Sequence, residues 1–314
     1  FILADQPSLI AMDWGSTKVR AYLMHQSGSV LRRKESEDGA TRIAEGGVEA
    51  FETAFSRLTS EWSLTYPNLA VILCGMVGSR HGWREAPYLY CPTAISELHK
   101  GAVAPSETMK SKAWILPGLA MSKGNTFDVM RGEETQVCGI LTKMTELNAA
   151  CTVVLPGTHS KWVRVRNGCI ESFRTYMTGE IFDLMLRHSV LRLQLVKSES
   201  FDPVAFEKGI TYAERKERLE LSAQLFSLRA EGLLTQVVPN ELTEMLSGLL
   251  IGKEIHAELP NILPEEDVVI VGEEAVAKRY EFALKRRGLH PLKPVFDAAV
   301  AGMWNQACHA GLLG

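Results

Sequence analysis

No Cys-x-x-Cys pair occurs in the chain, although it has six cysteines, Cys74, Cys91, Cys138, Cys151, Cys169 and Cys308. Scattered thiols in a chain this long read as reduced cysteines of a cytoplasmic protein rather than a disulfide scaffold. The eight histidines never stand at ligand spacing from a cysteine, which argues against a structural zinc site. No apolar run approaches the roughly 18 residues that span a bilayer. Phe1 to Pro7 lack the basic stretch and apolar core of a signal peptide. No long basic block is present, and 34 basic against 37 acidic residues give a net charge of −3, so electrostatic nucleic-acid binding is not expected. Three nucleotide and hydrolase signatures are missing as well. No Gly-x-Gly-x-x-Gly follows a strand, and neither Gly-x-Ser-x-Gly nor His-Glu-x-x-His occurs. Gly248 to Glu254 is one residue short of a P-loop, lacks its Ser/Thr and lies in an apolar helical stretch.

What is present is ordinary in bulk and specific in detail. The 314 residues are 46% hydrophobic and 23% charged, the make-up of a folded globular chain. That length suggests two domains of roughly 150 residues each. Leu9–Met12 is a short apolar strand followed by Asp13-Trp14-Gly15-Ser16-Thr17; Val19–His25 and Val30–Glu35 continue as strands. Gly47–Leu64 has helical spacing, and Ala70–Cys74 is a buried strand running into a glycine-rich loop from Gly75 to Trp83. Val129–Met144 reads as a helix following Asp128.

The opening then recurs. Thr152–Leu155, the turn Pro156-Gly157-Thr158-His159-Ser160, Lys161–Val165, an Asn167-Gly168 hairpin turn and Cys169–Thr175 repeat strand, polar turn, strand, turn, strand. Gly15 and Gly157 stand about half the chain apart, which reads as an internal duplication. A helix carries Leu242, Met245, Leu246, Leu249 and Leu250 on one face, with Gly248 and Gly252 suited to close packing. The strand Val268–Val271 meets Gly272 and a helix reaching Arg287, and a last helix covers Asp297–His309. This pattern predicts an α/β protein of two similar lobes, residues 1–127 and 128–314.

The two Gly-hydroxyl turns carry chemistry. Gly15 and Gly157 let backbone approach phosphate oxygens, while Ser16, Thr17, Thr158 and backbone N–H groups can donate to them. Asp13 can hold Mg²⁺ through water, since that ion prefers carboxylates and retained waters. Leu155 stands where Asp13 stands in the first copy, so the second turn lacks the acid. Gly272, between strand and helix, suits a flat adenine or ribose lying on backbone.

These residues together resemble a known family. Asp13-Trp-Gly-Ser-Thr17, the Pro156-Gly-Thr-His159 turn and the late strand-Gly272-helix are similar to the phosphate 1, phosphate 2 and adenosine segments of the actin/sugar-kinase/Hsp70 superfamily. Cys74-Gly-Met-Val-Gly-Ser79, Gly82-Trp83, Ala86-Pro-Tyr88, Met130-Arg-Gly-Glu-Glu-Thr-Gln136, Lys161-Trp162, Phe173-Arg-Thr175 and Met177-Thr-Gly-Glu180 resemble the 2-dehydro-3-deoxygalactonokinase family, from about residue 9 to 311. Glu273 departs from the second Gly that often follows in the adenosine segment. The resemblance implies an actin-like ATPase (ribonuclease H-like) fold with the nucleotide in the interlobe cleft. It implies ATP and Mg²⁺ as cofactors, with Asp13, Gly15, Ser16, Thr17, Gly157, Thr158, His159 and Gly272 on the nucleotide side. The reaction it implies is phosphorylation of 2-dehydro-3-deoxy-D-galactonate to its 6-phosphate in galactonate breakdown.

Such a transfer needs a group to orient or deprotonate the hydroxyl. Related kinases place an acid in a Gly-acid stretch shortly before the second turn; Glu133 fills that place, with Asp128 and Glu134 as alternatives. The Gly75–Trp83 loop corresponds to the sugar-gripping loop, with Ser79 and Trp83 in it. Arg80, Arg84 and Arg131 are candidate partners for the substrate carboxylate. Trp83 can equally pack in the core, and no role is assigned to Arg174, Thr178 or Glu180. The expected partners are a small sugar acid and ATP, with no nucleic acid and no membrane; a homodimer is open. The rival readings are a kinase of another sugar or sugar acid on the same fold, and an ATP-binding chaperone or assembly protein.

Overall fold

The computed structural model describes residues 6–109, 112–197, 200–214 and 220–313. In chain order the elements are β1 (Pro7–Trp14), β2 (Val19–His25), β3 (Val30–Ser36), α1 (Ala40–Ile43), α2 (Gly47–Thr65), β4 (Ala70–Gly75), β5 (Tyr88–Tyr90), β6 (Thr93–Ala94), β7 (Ala113–Ile115), β8 (Gly118–Lys123), β9 (Thr126–Met130), α3 (Glu133–Lys143), β10 (Ala150–Leu155), β11 (Ser160–Arg166), β12 (Cys169–Tyr176), α4 (Thr178–His188), α5 (Pro203–Glu214), α6 (Leu221–Leu234), α7 (Pro239–Glu258), β13 (Asp267–Ile270), α8 (Glu274–Lys285) and α9 (Ala298–His309). Among the described residues no helix is long and apolar enough to cross a membrane.

Two compact units emerge. The first takes the chain up to Ala150, Arg164–Phe173 and Pro294 onward; the second takes Cys151–Val163 and Arg174–Lys293. The single division at residue 127 drawn from the sequence does not follow this interleaving. The stretch from Pro294 returns to the first unit because the apolar face of α9 belongs to its core.

In the first unit the sheet order is β3-β2-β1-β4-β7, with β1 antiparallel to β2 and parallel to β4. The run Leu9–Met12 is apolar throughout because both faces of β1 are covered. Ile10, Met12 and Trp14 pack with Phe51, Leu58 and Trp62 of α2. Leu9 and Ala11 point the other way, toward Val300, Met303 and Ala307 of α9. Helices α3 and α9 touch through glycines: a Cβ on Gly139 would overlap the Ala298 carbonyl, and one on Gly302 the Thr135 carbonyl.

The helix expected from residue 129 starts later. Thr126, Phe127 and Val129 favour strand, and β9 pairs antiparallel with β8 in a three-stranded sheet of order β5-β8-β9. Gly132, at φ +106°, breaks the chain direction before α3.

The second five-stranded sheet has the order β13-β10-β11-β12-β6. It repeats the first: three sequential strands lie side by side, and the first of them has a parallel neighbour from later in the chain, β13 beside β10. In the second unit α7 is buried nearly all round. Close packing at Gly248 is confirmed, since a Cβ there would strike the Phe206 carbonyl of α5.

Candidate active site

The first unit gathers its polar residues where β1 and β4 end and α3 begins. Asp13 is the penultimate residue of β1, with Arg20 opposite it on β2 and Cys74 beside it on β4. Its Oδ2 lies 3.4 Å from Arg20 Nη1, and the Cys74 thiol donates weakly to Oδ1 at 3.9 Å. Burial pushes the Asp13 carboxyl above its ordinary range, Arg20 opposes this, and Asp297 adds to it. Asp297 caps α9 and accepts a 2.7 Å hydrogen bond from the Tyr22 hydroxyl. Asp13 is part-buried and Asp297 exposed, and two carboxylates that feel each other are relieved by a divalent cation. Among the described residues no group of three His, Cys, Asp or Glu side chains forms a metal cluster. The donor chemistry of Asp13 and Asp297, two carboxylates with one open to water, suits an ion that would keep several waters, as Mg²⁺ does.

The turn after Asp13 is held from behind. Gly15 N–H donates to Lys18 O at 2.9 Å, and the Gly15 and Ser16 carbonyls accept from Ala40 and Thr41 N–H at 2.8 and 3.0 Å. Ser16 and Thr17 are exposed at its tip.

Two left-handed glycines bring α3 to this place. Gly75 has φ +91°, and a Cβ there would press on the Trp14 carbonyl; a Cβ on Gly132 would meet Gly75 Cα at 3.3 Å. Glu133 follows directly, half-buried, its Oε2 accepting the Arg131 N–H at 3.0 Å. The two alternatives are placed differently. Glu134 is buried, takes Gly132 N–H on both oxygens (2.8 and 3.0 Å) and the Thr135 hydroxyl at 3.0 Å. Burial pushes its pKa up to about 8, with neighbouring Glu133 adding to the shift. Asp128 is not at the helix start at all: it lies on β9, accepting its neighbour's N–H, Val129, at 2.8 Å.

The glycine-rich loop divides its predicted residues. Arg80 and Arg84 are exposed and Ser79 half-buried. Trp83 is a core residue: 3% exposed, its ring sits 5.3 Å from Phe55 and 6.2 Å from Trp14. This burial accords with the core-packing alternative for the ring. Arg131 is also buried rather than solvated. Its Nη2 donates to the Ala86 carbonyl at 2.8 Å, and its guanidinium lies 4.3 Å from the centre of the Tyr88 ring.

The second unit carries the other predicted residues. Gly157, Thr158 and His159 are exposed in the turn between β10 and β11. The start of α4 lies directly against this turn: Gly179 has no room for a Cβ beside Gly157 O, and Glu180 N–H donates to Thr158 O at 2.9 Å. His159 Nε2 and Glu180 Oε2 are 2.5 Å apart. Gly272 sits over the Pro156 carbonyl, where a Cβ would come within 3.1 Å. A cavity of about 590 Å³ opens beside Gly157, walled by Thr178 and Gly179 of α4, Ser247 of α7, and Val276 and Tyr280 of α8. Glu244 and Arg279 form a 2.5 Å ion pair in its wall. That volume suits a nucleoside-sized ligand.

Sequence reasoning missed Asp297, the Glu244–Arg279 pair and Glu254. Asp297 did mark a helix start, as an Asp before an apolar run, but nothing local tied it to Asp13.

The comparisons agree with this architecture. A solved activator of 2-hydroxyisocaproyl-CoA dehydratase from Clostridium difficile, with ADPNP bound, superposes with a TM-score of 0.51 at 11% identity, covering 97% of this chain and 96% of that one. The chain thus shares the mixed α/β fold of that nucleotide-bound protein. Within it, the family model for 2-keto-3-deoxy-galactonokinase matches residues 13–306. The chain is 34% identical to a probable 2-dehydro-3-deoxygalactonokinase of Rhizobium meliloti (strain 1021) over 96% of both chains. It is 33% identical to the 2-dehydro-3-deoxygalactonokinase of Escherichia coli (strain K12) over 96% of this chain and 97% of that one. A crystal structure from Sinorhizobium meliloti, described as a protein of the same kind, gives a TM-score of 0.84 at 35% identity, covering 95% and 98%. The chain belongs to the 2-keto-3-deoxy-galactonokinase family.

Proposed function

We propose that the protein is a cytoplasmic, Mg²⁺-dependent ATP kinase of 2-dehydro-3-deoxy-D-galactonate. It forms the 6-phosphate in galactonate breakdown. The observation that carries this reading is the meeting of Asp13 with the Gly132–Glu133 start of α3 across Gly75, set beside the family match over nearly the whole chain. Phosphoryl transfer is mostly positioning and charge neutralisation; these residues supply the positioning, and a cation held by Asp13 would supply the neutralisation.

Each residue then has a task. Glu133 accepts the proton of the terminal hydroxyl, while the Arg131 N–H on its other side keeps the carboxylate aimed. The hydroxyl oxygen bonds to the γ-phosphorus, the bond to the β-phosphate bridging oxygen breaks, and ADP leaves. Asp13 and Asp297 are the carboxylates suited to a hydrated Mg²⁺; the ion supplies neutralisation of charge on the phosphate oxygens. In the first unit the exposed Ser16 and Thr17 are the donors suited to phosphate, with Gly15 leaving room for its approach; in the second unit the Gly157-Thr158-His159 turn offers donors of the same kind. Gly272 and the cavity beside α8 take the nucleoside. Ser79, Arg80 and Arg84 face the sugar acid, and a guanidinium meets its carboxylate two-pronged. Arg131 serves this loop from beneath, through Ala86 and Tyr88. A homodimer belongs to the same reading and is checked by sedimentation of the purified chain.

ADP release, measured with Mg²⁺ over a panel of 2-keto-3-deoxy sugar acids, other sugar acids and neutral hexoses, tests the proposal. Turnover is expected with the six-carbon 2-keto-3-deoxy acid. Turnover of a hexose but of no such acid would overturn the substrate. ATP hydrolysis indifferent to every sugar would favour an assembly or chaperone ATPase.

A further inference from the structure

Glu254 lies on α7, in the apolar stretch with no nucleotide signature, and is 2% exposed. Its carboxylate accepts four hydrogen bonds. Ser160 Oγ donates at 2.8 Å, Trp162 Nε1 at 2.6 Å, the Tyr280 hydroxyl at 2.9 Å, and the Thr178 hydroxyl also donates. The donors come from three different segments. Ser160 and Trp162 open β11, immediately after the Gly157–His159 turn. Thr178 opens α4, and Tyr280 is on α8; both line the 590 Å³ cavity. A buried carboxylate is costly unless its lone pairs are filled, so this one holds its donors in one arrangement. Burial pushes its pKa up, and the hydroxyl and indole donors draw it back.

The geometry passes from these donors to the turn itself. One residue beyond Thr178, Gly179 fits against Gly157 O with no space for a methyl group, and Glu180 N–H bonds Thr158 O. A displacement of Thr178 therefore displaces the turn.

We infer that Glu254 is a positioning residue for the nucleotide: without touching ATP, it fixes the Gly157–His159 turn and the Thr178 and Tyr280 walls in their binding arrangement. This also gives Thr178 a task that its sequence did not suggest. The inference rests on the reading of that turn as a phosphate site.

The test measures the dissociation constant of a non-hydrolysable ATP analogue with Mg²⁺ by calorimetry, the KM of the sugar acid, and Tm. Glu254→Gln and Thr178→Val are each expected to weaken the analogue about tenfold or more, the scale of one charge-assisted hydrogen bond. The sugar-acid KM should stay within about twofold, because uniform loss of structure would move both ligands together. Thr178→Ser keeps the hydroxyl and should restore analogue binding to near wild type. Should Glu254→Gln not fold, Thr178→Val with its serine rescue decides alone. A lower Tm with unchanged analogue affinity, or an equal loss for both ligands, would overturn the inference and leave Glu254 a core residue. Thr158→Ala separates the underlying reading. If it leaves analogue affinity intact, the turn is not a phosphate site and the inference falls with it. If it weakens the analogue while Thr178→Val does not, only the inference falls.

Discussion

Glu133→Gln separates chemistry from architecture at the start of α3. The amide keeps the size of the side chain, and its oxygen can still accept the Arg131 N–H that Glu133 Oε2 now takes at 3.0 Å. The start of α3 should therefore keep its shape. What changes in the fold is one negative charge at a helix N-terminus, a stability matter of about 0.3–1 kcal/mol. What changes in the reaction is larger: an amide cannot take the hydroxyl proton, and losing a general base costs roughly 10²–10⁴-fold, or about 3–5 kcal/mol. Single-turnover rates at saturating ATP and sugar acid read the chemical step directly. Two neighbours serve as controls. Asp128→Asn changes a carboxylate on β9 that is bonded to its own neighbour's N–H, and should stay within a few-fold of wild type. Glu134→Gln changes a side chain that is 1% exposed and cannot reach a substrate hydroxyl, so it too should retain most of the rate. A Glu133→Gln enzyme within a few-fold of wild type, with Glu134→Gln nearly inactive, would refute the assignment and move the base one residue on.

Asp13→Asn should lower kcat far more than it raises the sugar-acid KM, because it removes charge stabilisation that matters most in the transition state; wild-type kcat at saturating Mg²⁺ would make Asp13 a turn residue only. Glu134 gives a pH signature in stability. Its pKa rises from an ordinary 4.5 to about 8 on folding, so the folded chain holds the extra proton between those values, and the stability it confers is full below about 4.5 and lost as pH rises through about 8. Glu134→Gln stays neutral, so its Tm should gain on wild type from pH 5 to pH 9, and parallel Tm curves would show that Glu134 does not titrate in this way.

The features legible in the sequence were those that repeat locally. Both strand-turn-strand openings showed because an apolar strand buried on two faces leaves an unbroken run, and a glycine with hydroxyls must follow wherever the chain turns sharply. The Gly248 contact was readable for the same reason, since a glycine on an apolar helix face asks for a close neighbour. The misjudged helix at 129–144 shows the limit of this reasoning. Val129 and Met130 continue the apolar pattern of Val137 and Ile140, so periodicity ran straight across a boundary set by the positive φ of Gly132 and by pairing with β8, whose short strand gave no comparable signal.

Features made by the return of distant chain were not legible. Arg131 reads as a candidate partner of the substrate carboxylate, and its cover by Ala86 and Tyr88 is invisible in the sequence; nothing local marks Glu254 as the acceptor of four donors. Asp297 is the sharpest case, because its position follows from packing that has nothing to do with charge. Ala298, Ala299, Ala301 and Gly302 are small, and that smallness lets α9 lie against α3, where Gly139 is equally bare. Val300 and Met303 on the same helix fill the face of β1 that Leu9 and Ala11 present. A helix fastened on both sides has only one place for its first residue, beside Tyr22 and within the field of Asp13. The Asp297 carboxylate is thus delivered to Asp13 by apolar contacts with chain far away in sequence. Loosening the Gly139–Gly302 contact, as Gly302→Ala would, should therefore lower kcat through Asp297 and Asp13 while the Gly157–His159 turn, in the other unit, keeps its shape.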